Sequence, residues 1–216
     1  MTPRLILASS SKYRQELLSR LKIPFFSVSP DLDETPLPGE QPEQLARRLA
    51  VAKAQHIARM YPTHIVIGAD QVASVHGRPL GKPGHAAAAH TQLRELSGQA
   101  VTFFSALAVV FGPQVQSAVV PTHCVFRTLS EAAITRYISI DQPFDTAGSA
   151  KAECLGIALM QSMDSSDPTS IIGLPLIELT RMLAQVGLDP LEDTHATTAS
   201  GSLLDKNTQS RGHGPF

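Results

Sequence analysis

The sequence predicts a mixed α/β fold, in which a β-sheet carries helices on its faces. Apolar stretches of strand-like composition alternate with segments of helical periodicity in the first half of the chain. Two β-branched and aromatic stretches, 101–111 and 115–129, are separated by Gly112 and Pro113 and predict a long hairpin. The 216 residues, 43% hydrophobic and 17% charged, suffice for a substantial core. We predict one domain over residues 1–191.

The first part of the chain contains two strands, two helices and a proline-rich segment. The apolar run LILA predicts a strand at 5–8, and leucines at helical spacing after three serines predict a helix. Residues 30–42 contain four prolines and an acidic cluster, which excludes regular structure. A second helix begins near Pro42, because apolar residues recur at helical spacing through Met60. The β-branched run HIVIGADQVASV predicts a buried strand with Asp70 at or near its end.

Three helices and a further strand are predicted after residue 84. An alanine-rich helix covers residues 85–96 and is stopped by Gly98. Ser130 is a good N-cap for the helix EAAITRYISI. The glycine-interrupted segment DTAGSAKAECLGIAL ends in a strand, and the last helix covers about 175–186.

The end of the chain differs in composition from the rest. Residues 192–216 are rich in Thr, Ser and Gly and show no hydrophobic periodicity. A segment of this kind cannot bury enough apolar surface to offset the entropy of ordering it. We therefore predict a disordered tail over 192–216 that takes no part in the fold.

Charge and cysteine content exclude several classes of protein. The formal net charge of −1 argues against a nucleic-acid coat, because affinity for a polyanion depends on clustered excess Lys and Arg. The apolar runs fall short of the roughly 20 residues of a membrane span, and no signal-peptide apolar region is present. Cys124 and Cys154 lack CxxC spacing, which excludes a cysteine-built zinc site and fits a reducing compartment. We expect a cytoplasmic protein that binds neither nucleic acid nor membrane.

A candidate anion site lies between the first strand and the first helix. It contains three consecutive serines: Ser9, Ser10 and Ser11. A helix N-terminus presents unpaired backbone N–H groups and the positive end of the helix dipole. Arg14 can add a bidentate phosphate contact from the first turn, and Lys53 and Lys82 can supply further cations. The alternative, that the serines merely cap the helix, is equally compatible with the spacing.

Asp70 and Glu34 are the candidate carboxylates. Asp70 follows an apolar run, so it is either a buried structural acceptor or a functional group. We favour a functional role, because charged residues are seldom buried unless they are paired or take part in binding or catalysis. Glu34 shares a proline-rich loop with Asp33, where a solvated acid is the ordinary interpretation. If Glu34 folds against Asp70, the two can hold Mg²⁺, which commonly bridges substrate phosphates and polarises phosphorus.

Other catalytic signatures are weak or missing. His85 and His90 are five positions apart, not the four that place two ligands on one helical face, which argues against zinc. The sequence contains no GxxxxGK[ST] loop and no GxGxxG, which removes the usual kinase, GTPase and dinucleotide signatures. No G-x-S-x-G elbow supports serine-hydrolase chemistry.

Several separated motifs, taken in order, resemble the Maf nucleotide pyrophosphatases. They are LILASSSKYRQELL, DLDETPLPGEQPEQLARRLAVAKA, IGADQV, GKP, DTAGSAKAECLGI and GLPL, and they span about residues 4–190. Motifs that recur in one order are far more specific than any of them alone. The resemblance implies an elongated mixed sheet with a cleft between two lobes, related to inosine-triphosphate pyrophosphatases. It also implies cleavage of a nucleoside triphosphate to the monophosphate and pyrophosphate.

The resemblance also implies a role for each candidate residue. Asp70 matches the proton acceptor, and Glu34 and Asp70 would serve a divalent cation, for which oxygen ligands suit Mg²⁺ and Mn²⁺ alike. Lys53 and Lys82 would stabilise phosphate charge during catalysis. The implied phosphate contacts are Ser9, Ser11 and Arg14.

Three positions favour the 7-methyl-GTP branch of this family. Gln71 stands where the dTTP/UTP branch usually has threonine, and Glu153 where that branch tends to have glutamine. A carboxylate has two acceptors suited to the N1–H and N2–H₂ edge of guanine. Tyr13 replaces the tryptophan common in the methyl-GTP branch; its ring can still attract a cationic base by cation–π stacking, less strongly than tryptophan. The alternative for Tyr13 is an ordinary, partly buried helix residue.

The sequence therefore predicts a hydrolase that converts 7-methyl-GTP to 7-methyl-GMP and diphosphate. The nearest alternative is a dTTP/UTP or other canonical-nucleotide pyrophosphatase on the same scaffold. An alternative from another class is a nucleotide-binding regulator of septum formation without essential catalysis, against which the near-complete set of catalytic residues argues. The resemblance also allows a homodimer, although no exposed apolar stripe identifies an interface.

Overall fold

The computed structural model describes residues 5–192, and the mixed α/β fold predicted from the sequence is confirmed there. The predicted tail covers 192–216, and residues 193–216 lie outside the described residues. The strands are β1 (Leu5–Ala8), β2 (Phe25–Ser27), β3 (Ile65–Val75), β4 (Arg78–Leu80), β5 (Ala100–Phe111), β6 (Gln114–Phe126) and β7 (Met160–Ser165). The helices are α1 (Lys12–Ser19), α2 (Pro42–Met60), α3 (Ala86–Leu96), α4 (Glu131–Asp141) and α5 (Leu176–Gln185).

The strands form one mixed, elongated sheet in the order β2-β1-β3-β5-β6-β7, with β4 added to β3. β1 is parallel to both β2 and β3, whereas β3, β5, β6 and β7 pair antiparallel in sequence. The predicted hairpin is the pair β5 and β6, whose register joins Phe111 to Gln114. These long strands connect the two ends of the molecule, so residues distant in sequence meet along them.

The edge of β3 has a gap in its middle. β5 follows one edge of β3 from Val66 to Val75, so β1 and β4 share the other edge. β1 pairs with β3 as far as Gly68, and β4 pairs with it from Ala73 onward. Among the strands of residues 5–192, none pairs with residues 69–72 on that edge. The expectation that Asp70 lies at or near a strand end is wrong, because β5 keeps β3 extended beyond the point where β1 stops.

Helices cover both faces of the sheet and form two lobes. In the proximal lobe, α1 and α5 pack on one face of β1, β3 and β5, and α2 packs on the other. In the distal lobe, α3 and α4 pack on the far ends of β3, β5 and β6. None of the helices in residues 5–192 has the length and apolar character needed to cross a membrane.

Gly68 allows α2 to lie unusually close to β3. A Cβ atom at this position would be 2.1 Å from the backbone oxygen of Ala50 and 2.9 Å from the Cβ of Ala54. Only small residues on both sides permit such an approach. Lys53 lies between these alanines on α2, and alternation along the strand places Asp70 on the same face as Gly68. The close packing therefore brings Lys53 to Asp70.

The helix ends follow the predicted signals. Ser130 caps α4, and its side-chain oxygen accepts from the backbone N–H of Ala133 at 3.2 Å. His85 caps α3 through Nδ1, which accepts from the N–H of Ala88 at 3.3 Å. Gly98, just beyond α3, has a positive φ of 71°, which glycine adopts without strain. Local sequence chemistry thus sets these boundaries.

Candidate active site in the cleft between the lobes

A cleft of about 890 Å³ opens at the gap in the edge of β3. It is bounded by the end of β1, the start of α1, the loop between β2 and α2, and segments of the distal lobe. All ten site residues predicted from the sequence line it: Ser9, Ser11, Tyr13, Arg14, Glu34, Lys53, Asp70, Gln71, Lys82 and Glu153. The fold therefore gathers these separate motifs around one space.

Lys53 joins the two candidate carboxylates. Its Nζ lies 2.6 Å from Oδ1 of Asp70 and 2.6 Å from Oε1 of Glu34. The side chains of Lys53 and Asp70 are nearly buried, whereas that of Glu34 is 52% exposed. The sequence raised the question whether Glu34 folds against Asp70, and the structure brings them together through this shared ammonium.

The two carboxylates differ in basicity. Burial raises the pKa of Asp70, although the charges of Lys53 and Arg14 oppose this shift. Burial would also raise the pKa of Glu34, but the hydrogen bond and charge of Lys53, with a further contribution from Lys82, leave it lowered. A buried carboxylate with a raised pKa is the better proton acceptor. Asp70 therefore suits the role of general base, and Glu34 is the carboxylate that stays charged.

The serines shape the loop between β1 and α1. Oγ of the buried Ser9 accepts from the N–H of Ser11 at 3.1 Å, and Oγ of Ser11 accepts from the N–H of Arg14 at 3.4 Å. The capping interpretation is thus correct for Ser11. It does not exclude a role with phosphate, because an oxygen that accepts one hydrogen bond can still donate its own O–H.

Arg14 is fixed by the GLPL motif. Its Nε donates to the carbonyl of Gly173 at 2.9 Å, and Gly173 adopts a φ of 109° that strongly favours glycine. This contact uses one of the five guanidinium N–H groups, so the terminal nitrogens keep donors for an anion in the cleft. The motif before α5 thereby orients a cation on α1.

Gln71 has an anchoring role that the sequence did not reveal. Its amide nitrogen lies 2.9 Å from Oγ of Ser105 and 3.1 and 2.9 Å from the carbonyl oxygens of Ser170 and Ile171, so its two N–H groups are shared among three acceptors. Carbonyl oxygens only accept hydrogen bonds, so the amide atom that faces two of them must be the nitrogen and not the oxygen. The nitrogen therefore connects β3 to β5 and to the short 3₁₀ turn Ser170–Ile172, and the amide oxygen is left as an acceptor on a residue that lines the cleft.

The far end of the cleft combines an aromatic ring with charged groups. Nζ of Lys151 lies 5.7 Å from the centroid of the Tyr13 ring and 3.0 Å from Oδ1 of Asp145. Burial raises the pKa of the nearby Glu153, although the charge of Lys151 opposes the shift. The sequence reasoning missed Lys151 and Asp145. Both belong to the DTAGSAKAECLGI motif, so its remaining charged residues were the signal that could have found them.

The carboxylates fit a divalent cation that is held partly by substrate. Within residues 5–192, no three His, Cys, Asp or Glu side chains converge as a complete protein cage. Mg²⁺ usually binds one or two carboxylates together with water and substrate phosphates. Glu34 and Asp70, which reach the same ammonium beside groups suited to phosphate, supply hard oxygen donors of this kind.

The fold and the cleft define an α/β protein with carboxylates, cationic side chains and serine hydroxyls gathered between two lobes. The chain belongs to the Maf-like protein family, whose model matches residues 4–186. The family predicted from the ordered motifs is confirmed.

The comparisons with individual proteins agree with this assignment. The chain is 62% identical over 189 residues to a protein of Bordetella pertussis named 7-methyl-GTP pyrophosphatase, covering 88% of this chain and 95% of the relative. A protein of the same name from Ralstonia nicotianae is 52% identical over 188 residues, covering 86% and 97%. The solved Ham1 protein of Staphylococcus aureus has a TM-score of 0.50 at 14% identity, covering 85% of this chain and 98% of that one, which shows similarity of fold alone.

Proposed function

We propose that this protein hydrolyses 7-methyl-GTP to 7-methyl-GMP and diphosphate in the cleft between its lobes. The observation that carries the proposal is the buried Asp70, set in the gap of the sheet edge and joined to Glu34 through Lys53. Relatives that align along nearly their whole length are named for this activity. A buried base among anion-binding groups suits the attack of water on a phosphoanhydride.

Asp70 acts as the proton acceptor for the attacking water. In the metal-free protein, burial raises its pKa above that of an exposed aspartate, which favours uptake of a proton. Lys53 holds Oδ1 at 2.6 Å, which orients the carboxylate and leaves Oδ2 to accept from the water. Placing that water in line with the α-phosphorus supplies much of the catalytic effect, because the reaction depends chiefly on position and charge.

The cations and hydroxyls of the cleft hold the triphosphate and the departing diphosphate. Arg14 offers its terminal nitrogens, and the exposed Lys82 offers an ammonium from the loop after β4. Ser9 and Ser11 add hydroxyl donors at the N-terminus of α1, where the helix dipole favours an anion. A bound divalent cation, Mg²⁺ or Mn²⁺, with Glu34 and Asp70 as protein ligands, would offset phosphate charge and polarise the phosphorus.

Tyr13 and Glu153 recognise the base. A 7-methylated guanine is cationic, so it stacks favourably on the Tyr13 ring. Glu153 accepts from the N1–H and N2–H₂ edge of guanine through its two oxygens. Asp145 and Glu153 both line this end of the cleft. Lys151 neutralises Asp145 at 3.0 Å, so Glu153 supplies the net negative charge that favours a cationic base over a neutral one.

A panel of purified nucleotides, assayed by diphosphate release, tests the proposal. We expect 7-methyl-GTP to give the highest kcat/KM, ahead of GTP, dTTP and UTP. The matched variant Glu153→Gln, which keeps the side-chain shape but loses an acceptor, should reduce this preference without abolishing turnover. Faster hydrolysis of UTP or dTTP than of 7-methyl-GTP would reject the assigned base, and release of orthophosphate would reject the reaction.

A further inference from the structure

Glu34 lies in a loop without regular secondary structure. The Glu34 loop, residues 28–41, connects β2 to α2. The Glu34 side chain is half exposed and contacts Lys53 at 2.6 Å. A group that works in catalysis has to stay near its productive position, because a displacement of about 1 Å can cost roughly 100-fold in rate. The loop therefore needs a support beyond this single contact.

Arg48 on α2 supplies that support. Its Nε lies 2.6 Å from Oε1 of Glu40, and its Nη2 lies 2.9 Å from Oε2 of the same carboxylate. Nη2 also donates to the carbonyl of Thr35 at 3.1 Å, and Oε2 of Glu40 accepts from the backbone N–H of Leu37 at 3.0 Å. We call this set of four hydrogen bonds the Arg48–Glu40 clasp. It closes the loop on itself and attaches it to the helix.

The Arg48–Glu40 clasp has the burial and the geometry of a stable ion pair. The Glu40 side chain is only 7% exposed, and a bidentate arginine–carboxylate pair combines charge with fixed geometry. The hydrogen bonds from Arg48 lower the pKa of Glu40 to about 2, so the pair stays charged across the neutral range. An exposed ion pair with loose geometry contributes little, but this one has good geometry and backbone partners.

The clasp acts on the residue next to Glu34. Thr35, whose carbonyl Arg48 binds, follows Glu34 directly in the chain, and its N–H is held by Oδ1 of Asp33 at 2.9 Å. Lys53, which contacts Glu34 itself, lies on the same helix as Arg48. One rigid helix therefore fixes the loop backbone at one point and the carboxylate at another.

We infer that Arg48 and Glu40 are positioning residues, which hold Glu34 beside Lys53 and Asp70 by clasping the Glu34 loop to α2. The inference rests on the proposed function, because it gives Glu34 a part in the hydrolysis. Neither Arg48 nor Glu40 contacts the phosphates in this scheme; they act through Glu34. Arg47, the preceding residue on α2, provides a matched control because its side chain is 44% exposed and pairs with Glu43 within the helix.

Hydrogen exchange measured by mass spectrometry tests the clasp without any activity assay. In Arg48→Met, peptides from residues 31–41 should exchange about ten-fold faster than in the wild type, because the loop loses its attachment to α2. Peptides from α2 should keep their protection, and Arg47→Met should leave the loop unchanged. Unchanged loop exchange in Arg48→Met would overturn the inference. If Arg48→Met fails to fold, Glu40→Gln serves in its place, since it weakens the same clasp.

A double-mutant cycle tests whether the clasp acts through Glu34. Arg48→Met should lower kcat/KM for 7-methyl-GTP by roughly 10- to 100-fold in the wild-type background, and Arg48→Lys, which keeps the charge but not the bidentate geometry, by less. In the Glu34→Gln background, Arg48→Met should cause no further loss. An equal loss in both backgrounds would contradict positioning through Glu34. If the wild type hydrolyses no nucleotide, the proposed function fails, whereas the exchange experiment still decides whether the clasp holds the loop.

Discussion

Gly68→Ala tests whether the close packing of α2 on β3 sets the contact between Lys53 and Asp70. The added Cβ would lie 2.1 Å from the carbonyl oxygen of Ala50 and 2.7 Å from the backbone nitrogen of Ala54. Both are backbone atoms, so no side chain can rotate out of the way. Since Cβ contacts below 3.0 Å essentially do not occur, α2 must retreat by roughly 1 Å.

The retreat should affect both stability and catalysis. Overpacking a well-filled core typically costs about 1–3 kcal/mol in the free energy of unfolding. Lys53 moves with α2, so its 2.6 Å contact with Asp70 lengthens beyond a good hydrogen bond. A misplacement of about 1 Å near the reacting groups costs on the order of 100-fold in kcat/KM.

Urea denaturation and steady-state kinetics measure the two effects of Gly68→Ala. Gly81→Ala is the control for stability, because a Cβ there meets no atom of the described part of the chain within 4 Å. It should leave the free energy of unfolding unchanged or raise it by about 0.4–1 kcal/mol through the unfolded state. Wild-type stability and turnover in Gly68→Ala would refute the claim that this packing positions Lys53.

Three further predictions concern the site itself. Asp70→Asn should abolish diphosphate release but retain nucleotide binding by calorimetry. In metal-free protein at neutral pH, its thermal midpoint should equal or exceed that of the wild type. Folding raises the pKa of the Asp70 carboxyl group, so the free energy of unfolding falls as pH rises through its titration. The uncharged amide of asparagine does not titrate and avoids this loss of stability. A clearly lower midpoint in the variant would contradict the raised pKa. In metal-free protein, Lys53→Met should raise the pKa of Asp70 further, because the Lys53 charge lowers it. The NMR signal of the Asp70 carboxyl carbon should then titrate at higher pH than in the wild type. An unchanged or lower pKa would contradict the role of the Lys53 charge. Chelation of divalent cations should stop turnover, with recovery on addition of Mg²⁺ or Mn²⁺, whereas full activity in chelator would remove the metal from the mechanism.

The elements that the sequence predicted are those fixed by local chemistry. The start of α2 at Pro42, the cap at Ser130 and the hairpin of β5 and β6 follow from residue types within a few positions of each boundary. The gap in the edge of β3 does not, since it depends on where β1 and β4 stop against a third strand. The place of Asp70 within β3 was misjudged for this reason.

In the candidate site, too, some features follow from the local sequence and others depend on the folded structure. The ordered motifs predicted which residues line the cleft, but not how those residues are held. The amide nitrogen of Gln71 binds carbonyls 99 and 100 positions away, and Lys151 lies over a ring on α1. Arg48 shows no functional pattern in sequence, because its effect on Glu34 arises from the folded path of a loop. The homodimer and the cytoplasmic location stay predictions.

Hydrolysis of 7-methyl-GTP in water labelled with a heavy oxygen isotope tests the central claim most directly. If Asp70 directs water to the α-phosphorus, mass spectrometry should find one labelled oxygen in 7-methyl-GMP and none in the diphosphate. The Asp70→Asn variant should form neither product at a measurable rate. Label in the diphosphate, release of orthophosphate, or undiminished turnover by Asp70→Asn would contradict the assigned reaction or its base.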